Sequence, residues 1–345
     1  MKTRITELFG IDYPILLPGM SQVSVPPLVA AVSNAGGLGL MATVSLTVEE
    51  MKDAIADVRS RTDRPFGVGI PLLVPDAKEK VELALAEKIP VINYALGKGD
   101  WIATEAHKYG GKVIATVTNE RHARRAAEAG ADALLVTGYE AAGHGSPVTS
   151  LVLIPALADQ LSIPLIAAGG FADGRGLVAG LALGADAVAM GTRFTATEES
   201  PLHQISKQAV MDNSAADTVY TDRFDGMDCR IMKTPAAESL LDDNINYVKA
   251  FTAANRMAST QSKPWGKVVA GVLSKGPGLT LRLARMAGAA EAMRLAVEEG
   301  DHERGLQPVG QAQGLVQDVP SVAVLMDRII SEARQASSQT NTSLG

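Results

Sequence analysis

Two glycine turns and one histidine are the residues whose type and spacing point to chemistry in this 345-residue chain. The turns, Gly169-Gly170 and Gly191-Thr192, each follow an apolar run directly, and His144 lies in a loop of small residues. Glycine adopts positive φ and carries no Cβ, so such turns can direct backbone N–H groups at ligand oxygens. An imidazole can take or give a proton near neutral pH. The pattern therefore predicts a site that holds a phosphate and moves a proton.

These residues need a scaffold that brings several strand ends together, and the rest of the chain predicts one. Apolar runs alternate with helical patterns at intervals of roughly 20–30 residues, which indicates parallel βα units. A doubly wound sheet shows the same alternation, but paired glycine turns after the last two strands favour a barrel. The predicted fold class is α/β, a TIM (β/α)₈ barrel with an appended mainly helical lobe. The eight predicted strands cover residues 13–17, 38–42, 66–70, 91–94, 112–116, 133–136, 165–168 and 187–190.

The βα rhythm stops near residue 200, and this break predicts the domain organisation. Residues 1–200 form the barrel with the cofactor site, and residues 201–304 form a helical lobe that covers its mouth. Within the lobe we predict helices at 201–211, 239–256 and 279–297. Residues 305–335 return to the barrel as a closing segment and helix. The Ser/Thr/Asn-rich residues 336–345 predict a disordered tail.

Composition limits the class of function. The net charge of −6, without a concentrated basic run, and an aromatic content of 4% argue against nucleic-acid binding. We find no signal peptide and no apolar run long enough to cross a bilayer, so we expect no membrane association. The single cysteine cannot form an internal disulfide, and we expect a cytoplasmic protein. The expected partner is a small-molecule substrate, and a homodimer is compatible with the sequence.

The predicted strand ends exclude several kinds of catalysis. No lysine follows a strand as a Schiff-base aldolase requires, since Lys112 lies at the amino end of its strand. No cysteine follows strand six, because Cys229 belongs to the lobe, and no cluster has metal-ligand spacing. These residues are consistent with a cofactor that supplies its own reactivity. A phosphate-binding lyase or isomerase that uses no such cofactor stays as an alternative.

Four charged residues near these turns have open roles. Asp173 is expected to cap the following helix, and Glu140 either orients the loop or His144, or is a solvated acid. Arg175 and Arg193 flank the glycine turns, and each is expected to pair either with a phosphate or with a carboxylate of the protein.

Three residue strings resemble one known family. They are AAGH at 141–144, AAGGFADGRG at 167–176 and LGADAVAMGTRF at 183–194, and they resemble the FMN-dependent nitronate monooxygenases, or 2-nitropropane dioxygenases. The same superfamily includes FMN-dependent NAD(P)H:quinone reductases and flavin-dependent enoyl-ACP reductases. The first 15 residues and SNAGGLG at 33–39 also fit, and the string GQAQG at 310–314 fits more weakly.

The resemblance implies the cofactor and the residues that bind it. FMN would be the cofactor, with NADH or NADPH as reductant in some members, and His144 would be the catalytic residue facing the substrate. Leu17 and Gly69 depart from the Gln and Asn of many members, which alters hydrogen bonding near the flavin. The phosphate would be held by Gly169, Gly170, Gly191 and Thr192, the isoalloxazine ring would lie against Pro18, Gly19 and Met20, and Gly69, Gly143, Ala168 and Gln311 complete the cofactor-binding set.

Two activities follow from the resemblance. The favoured one is oxidation of alkyl nitronates with O₂ to carbonyl compounds and nitrite, in which the matching histidine binds or deprotonates the nitro compound. The alternative is an NAD(P)H-dependent reduction of a quinone or an enoyl-ACP.

Overall fold

Eight parallel strands close into a barrel in chain order, with the last strand paired to the first. The computed structural model describes residues 1–74, 76–242 and 277–344. The barrel confirms the predicted fold class, and each strand overlaps its predicted run. The strands are β1 (Ile15–Leu17), β2 (Leu38–Ala42), β3 (Phe66–Pro71), β4 (Val91–Ala95), β5 (Lys112–Val117), β6 (Ala133–Thr137), β7 (Leu165–Ala168) and β8 (Ala187–Ala189).

The strands are apolar on both faces because both faces are buried. Leu16 belongs to the small cluster inside the barrel, whereas its neighbours Ile15 and Leu17 belong to the larger cluster between strands and helices. Helix α1 (Arg4–Phe9) precedes β1 and adds Ile5 and Phe9 to the inner cluster. This packing fills the barrel interior and leaves the carboxyl ends of the strands for the site.

The helices of the barrel begin and end where local sequence signals place them. Thr47 and Glu50 form a reciprocal capping box at α3, and the Asp173 carboxylate accepts from the N–H of Gly176 at α8, which confirms the predicted cap. The barrel helices are α2 (Pro26–Asn34), α3 (Val48–Arg61), α4 (Ala77–Ala86), α5 (Asp100–His107), α6 (Glu120–Glu128), α7 (Ser150–Ala158), α8 (Gly174–Ala182) and the short α9 (Thr192–Thr195).

The lobe contains a β-hairpin that the sequence analysis did not predict. Strands β9 (Thr218–Thr221) and β10 (Cys229–Met232) pair antiparallel, and Cys229 and Ile231 pack with Phe224 in a separate small core. Four-residue strands carry too little periodicity to stand out beside long helical patterns. The lobe helices are α10 (Gln204–Asp212), α11 (Pro235–Asp242) and α12 (Pro277–Arg294), which continues as a π-helical turn over Leu295–Glu299. Much of the predicted helix at 239–256 lies outside the described residues.

The chain returns to the barrel through a 3₁₀ turn, Gln311–Leu315, and ends in helix α13 (Val322–Leu344), which packs on α8 and α2. The structure differs from the predicted tail, because α13 continues through residues 336–344. Threonine and serine hydroxyls there donate to carbonyls four residues back, for example Thr340 to Ala336 at 2.9 Å, and so accommodate polar residues within the helix. The division into barrel, lobe and closing segment stays a prediction.

Two features are absent from the described ranges. None of their helices combines the length and apolarity that a bilayer crossing requires. The same ranges contain no group of three or more His, Cys, Asp or Glu side chains arranged to hold a metal ion.

Candidate active site

The two glycine turns lie side by side at the carboxyl ends of β7 and β8. Gly169 and Gly170 both adopt positive φ, 112° and 84°, which only glycine takes without strain. Gly191 precedes α9, and its carbonyl accepts from the N–H groups of Phe194 and Thr195. Because the first N–H groups of a helix have no partner within it, the amide of Thr192 is left available for an anion.

The turn after β1 borders these glycines. A Cβ placed on Gly191 would lie 3.3 Å from Met20 Sδ and 3.7 Å from Pro18 Cγ. The turn is held by Ser24, whose hydroxyl accepts from the N–H of Met20 at 3.0 Å and donates to the carbonyl of Pro18 at 2.7 Å. The two glycine turns, Gly169-Gly170 and Gly191-Thr192, form what we call the cradle, and its surface is continuous with that of residues 18–20.

Gly19 and Gly69 extend this surface toward β3. A Cβ on Gly19 would lie 3.4 Å from the Cα of Gly69, so the two strand ends meet without side chains between them. The nearest polar side chain is Asn93 of β4, whose Oδ1 would be 3.7 Å from a Cβ on Gly69. Its amide nitrogen donates to Thr116 Oγ1 at 2.9 Å. The sequence analysis missed Asn93, because its place beside Gly69 depends on strand register.

The late segment at 310–314 closes against the cradle. Gly310 donates its N–H to the hydroxyl oxygen of Thr192 at 2.9 Å, and Gln311 donates its N–H to the carbonyl of Glu140 at 2.9 Å. A Cβ on Gly310 would be 2.8 Å from that same carbonyl, so the segment packs backbone to backbone. The structure therefore brings Gln311 to the loop after β6, and its part in cofactor binding stays a prediction.

Glu140 does not contact His144 through its carboxylate. It accepts instead from the backbone N–H and the hydroxyl of Ser150, both at 3.0 Å, at the start of α7. The acid therefore stabilises a helix N-terminus and fixes the loop after β6. Of the alternatives left open for this residue, the structure supports the one in which it orients the loop.

His144 contacts an acid from the lobe. Its Nε2 lies 2.7 Å from Asp225 Oδ2, in the turn between β9 and β10, and Asp225 is buried while 33% of the His144 side chain is exposed. The sequence analysis missed Asp225, since it lies 81 residues away and shares its turn with Asp222 and Asp228. Nothing in the sequence distinguishes these three acids.

The β9–β10 hairpin also holds the loop that carries His144. Gly143 and Arg230 exchange both backbone hydrogen bonds. Arg230 is 3% exposed as a residue. Its guanidinium donates from Nε and Nη2 to the carbonyl of Tyr139 at 3.1 and 2.9 Å, and lies 4.4 Å from the centroid of the Tyr139 ring. It also lies 5.3 Å from the centroid of the Tyr220 ring. The loop is therefore held to the hairpin at Tyr139 and at Gly143, which both precede His144.

The two arginines beside the cradle are engaged with protein groups. Arg193 is 3% exposed and donates to the carbonyl of Ala196 and to Asp318, and burial lowers the pKa of its guanidinium. Arg175 pairs with Asp173 at the start of α8. Of the open alternatives, the geometry supports pairing with a carboxylate of the protein for both arginines.

The chain is similar to known proteins over most of its length. The family model described as "Nitronate monooxygenase" matches residues 2–80 and 74–332. The chain belongs to the nitronate monooxygenase family. A "Probable nitronate monooxygenase" of Staphylococcus saprophyticus is 31% identical over 67% of this chain and 78% of that protein.

Several known proteins match the chain over nearly its whole length. The "(3aS,4S,5R,7aS)-5-hydroxy-7a-methyl-1-oxo-octahydro-1H-indene-4-carboxyl-CoA dehydrogenase" of Mycobacterium tuberculosis is 36% identical over 96% of both chains. The solved structure of FabK from Thermotoga maritima is 34% identical over 99% of both chains, with a TM-score of 0.84. A nitroalkane oxidase of Streptomyces ansochromogenes, at 24% identity and a TM-score of 0.78, shares the fold.

Proposed function

We propose that this family member is an FMN-dependent oxidoreductase that interconverts an acyl-CoA thioester and its α,β-unsaturated form. The observation that carries the proposal is the match to the carboxyl-CoA dehydrogenase, at 36% identity over 96% of both chains. That match spans the lobe, which supplies Asp225 and Arg230 to the site. The match to the probable nitronate monooxygenase covers only 67% of this chain.

The shape of the cradle supports FMN as the cofactor. The positive φ of Gly170 is a conformation that a larger residue adopts only with strain. A Cβ on Gly191 would point toward Met20 and occupy space that the ligand needs. We assign the phosphate to the N–H groups of Gly169, Gly170, Gly191 and Thr192, and the ring to Pro18, Gly19 and Met20, with Gly69, Gly143, Ala168 and Gln311 around them. When bound, FMN supplies hydride transfer, which no side chain can perform.

The protein's own contribution to the chemistry is one proton transfer. A proton on the carbon beside a thioester carbonyl is acidic enough for an imidazole to remove once the carbonyl is held. His144 takes that proton in the direction of desaturation and returns it in the direction of reduction. Neither direction requires a nucleophilic lysine or cysteine, and no lysine or cysteine directly follows a barrel strand.

A nitronate monooxygenase is the second candidate, and it is the activity that the sequence favours. The His144–Asp225 contact supports it, because a base held by a carboxylate can equally remove the proton beside a nitro group. NADH or NADPH would be the reductant of the reductive reaction and is not needed for nitronate oxidation.

Anaerobic mixing separates the candidates. Protein loaded with FMN is mixed without O₂ with NADH, NADPH or butyryl-CoA, and bleaching of the flavin is followed. We expect rapid bleaching by at least one of these reductants, and recovery of colour on adding crotonyl-CoA. Slow bleaching by all three, together with fast O₂ consumption on propane-2-nitronate, would establish the monooxygenase instead. Protein that stays colourless after addition of FMN would overturn both candidates.

A further inference from the structure

The imidazole of His144 and the carboxylate of Asp225 come from different parts of the fold and meet at 2.7 Å. We propose that Asp225 is a positioning residue that fixes the tautomer of His144, so that the lobe hairpin supplies part of the proton-transfer machinery. The kinetic part of the test rests on the proposed function, whereas the spectroscopic part does not.

The chemistry of the two groups determines the tautomer. An ionised carboxylate only accepts hydrogen bonds, so the Nε2 that faces Asp225 carries the hydrogen. In a neutral imidazole the other nitrogen, Nδ1, then has the free lone pair. Nδ1 is therefore the atom of His144 that takes a proton from a substrate.

Asp225 is itself held in one orientation. Its Oδ1 accepts from the backbone N–H of Met227 at 3.1 Å, and the turn is closed by a hydrogen bond from the N–H of Gly226 to the carbonyl of Asp222 at 3.0 Å. One carboxylate oxygen is thus fixed by the turn, and the other is left for His144. This division of roles is expected for a carboxylate that orients a catalytic ring.

The framework around the pair is buried. Arg230 holds the carbonyl of Tyr139, five residues before His144, and pairs with Gly143 directly before it. Because Arg230 is buried, water competes little with this link. The contact between His144 and Asp225 therefore results from a packed hairpin and not from two mobile surface groups.

Asp225→Asn is the informative substitution. It keeps the size of the side chain and an oxygen for the N–H of Met227, so the group that faces His144 becomes an amide NH₂. That group donates, so it favours a ring with its hydrogen on Nδ1, which abolishes the base. Asp222→Asn, an equal charge change at an exposed position of the same turn, is the matched control.

The first readout is ¹⁵N NMR of protein labelled at its five histidines, with His144 assigned by its loss in His144→Ala. We expect Nε2–H in the wild type and in Asp222→Asn, and Nδ1–H in Asp225→Asn. A wild-type His144 with its hydrogen on Nδ1 would overturn the proposal without reference to any activity or variant.

The second readout is steady-state turnover of crotonyl-CoA or of propane-2-nitronate, whichever of the two the protein accepts. We expect Asp225→Asn to lower kcat by about 10²–10⁴-fold, with KM and bound FMN unchanged. In the His144→Ala background Asp225→Asn should cause no further loss, because Asp225 acts through His144. Additive losses in that double variant, or a kcat unaffected by Asp225→Asn, would contradict a positioning role. If neither assay turns over, the proposed function fails while the NMR result stands.

Discussion

The N–H of Gly310 donates to the hydroxyl oxygen of Thr192 at 2.9 Å, across 118 residues of chain. The bond is buried and joins the segment that returns from the lobe to the turn after the last barrel strand. Thr192 thus offers its amide to the cradle and its side chain to the closing segment. Cradle geometry and closure of the chain therefore depend on one residue.

Thr192→Val should destabilise the protein and loosen FMN binding together. The substitution keeps the shape but leaves the buried N–H of Gly310 without an acceptor, which costs about 1–3 kcal/mol in the free energy of unfolding. Urea unfolding and fluorescence titration with FMN measure the two effects. Thr192→Ser, which retains the oxygen, should stay close to wild type. If Thr192→Ser lost as much stability and FMN affinity as Thr192→Val, the hydroxyl would not be the group that matters.

Gly170→Val should release FMN while the barrel stays folded. Gly170 has a φ of 84°, where a branched side chain forces the backbone to rotate and turns the amide away from the cradle. Gly110→Val is a matched control, because Gly110 has a φ of 83° in the turn before β5, at the opposite end of the barrel, with open space around its Cβ. Both variants should lose similar stability in thermal unfolding, and only Gly170→Val should lose its flavin absorbance. Equal flavin content in both would contradict the assignment of the cradle.

His144→Ala should lose activity but remain yellow. As the proton-transfer group it contributes about 10²–10⁴-fold in rate, and it is not among the groups assigned to hold FMN. Steady-state turnover and the absorbance ratio of flavin to protein measure the two properties. His122→Ala, at an exposed position on α6, should change neither. Unchanged turnover in His144→Ala would show that His144 takes no part in proton transfer.

The barrel could be predicted from the sequence because its information is local. Each strand is a short, mostly apolar run directly preceded by glycine, proline or aspartate, and Gly169-Gly170 needs only its neighbours to be recognised as a turn. The hairpin and its acid could not be predicted in the same way. Asp225 is buried, whereas Asp222 and Asp228 in the same turn are exposed. Arginine side chains are usually exposed, but Arg230 is buried and packs against two tyrosine rings. Such placements depend on tertiary packing, which a single sequence does not display.

The thiol of Cys229 should be unreactive in the folded protein. Cys229 is 1% exposed, and desolvation by burial raises the pKa of its thiol strongly, so little thiolate forms at pH 8. A disulfide reagent such as DTNB should react slowly with native protein and fast, with one equivalent, after unfolding in guanidinium, since the chain has one cysteine. Fast labelling of the native protein would contradict the packing of the hairpin core.

The same pKa shift predicts a pH dependence of stability. A folded pKa above the unfolded value of about 8.5 means that the folded state binds more protons at alkaline pH, so the free energy of unfolding falls as the pH rises above that value. Cys229→Ser removes this thiol while keeping the side chain small. Its stability should therefore fall less steeply than that of the wild type in urea unfolding between neutral and alkaline pH. Parallel pH profiles for the two proteins would show that the thiol is not protected by burial.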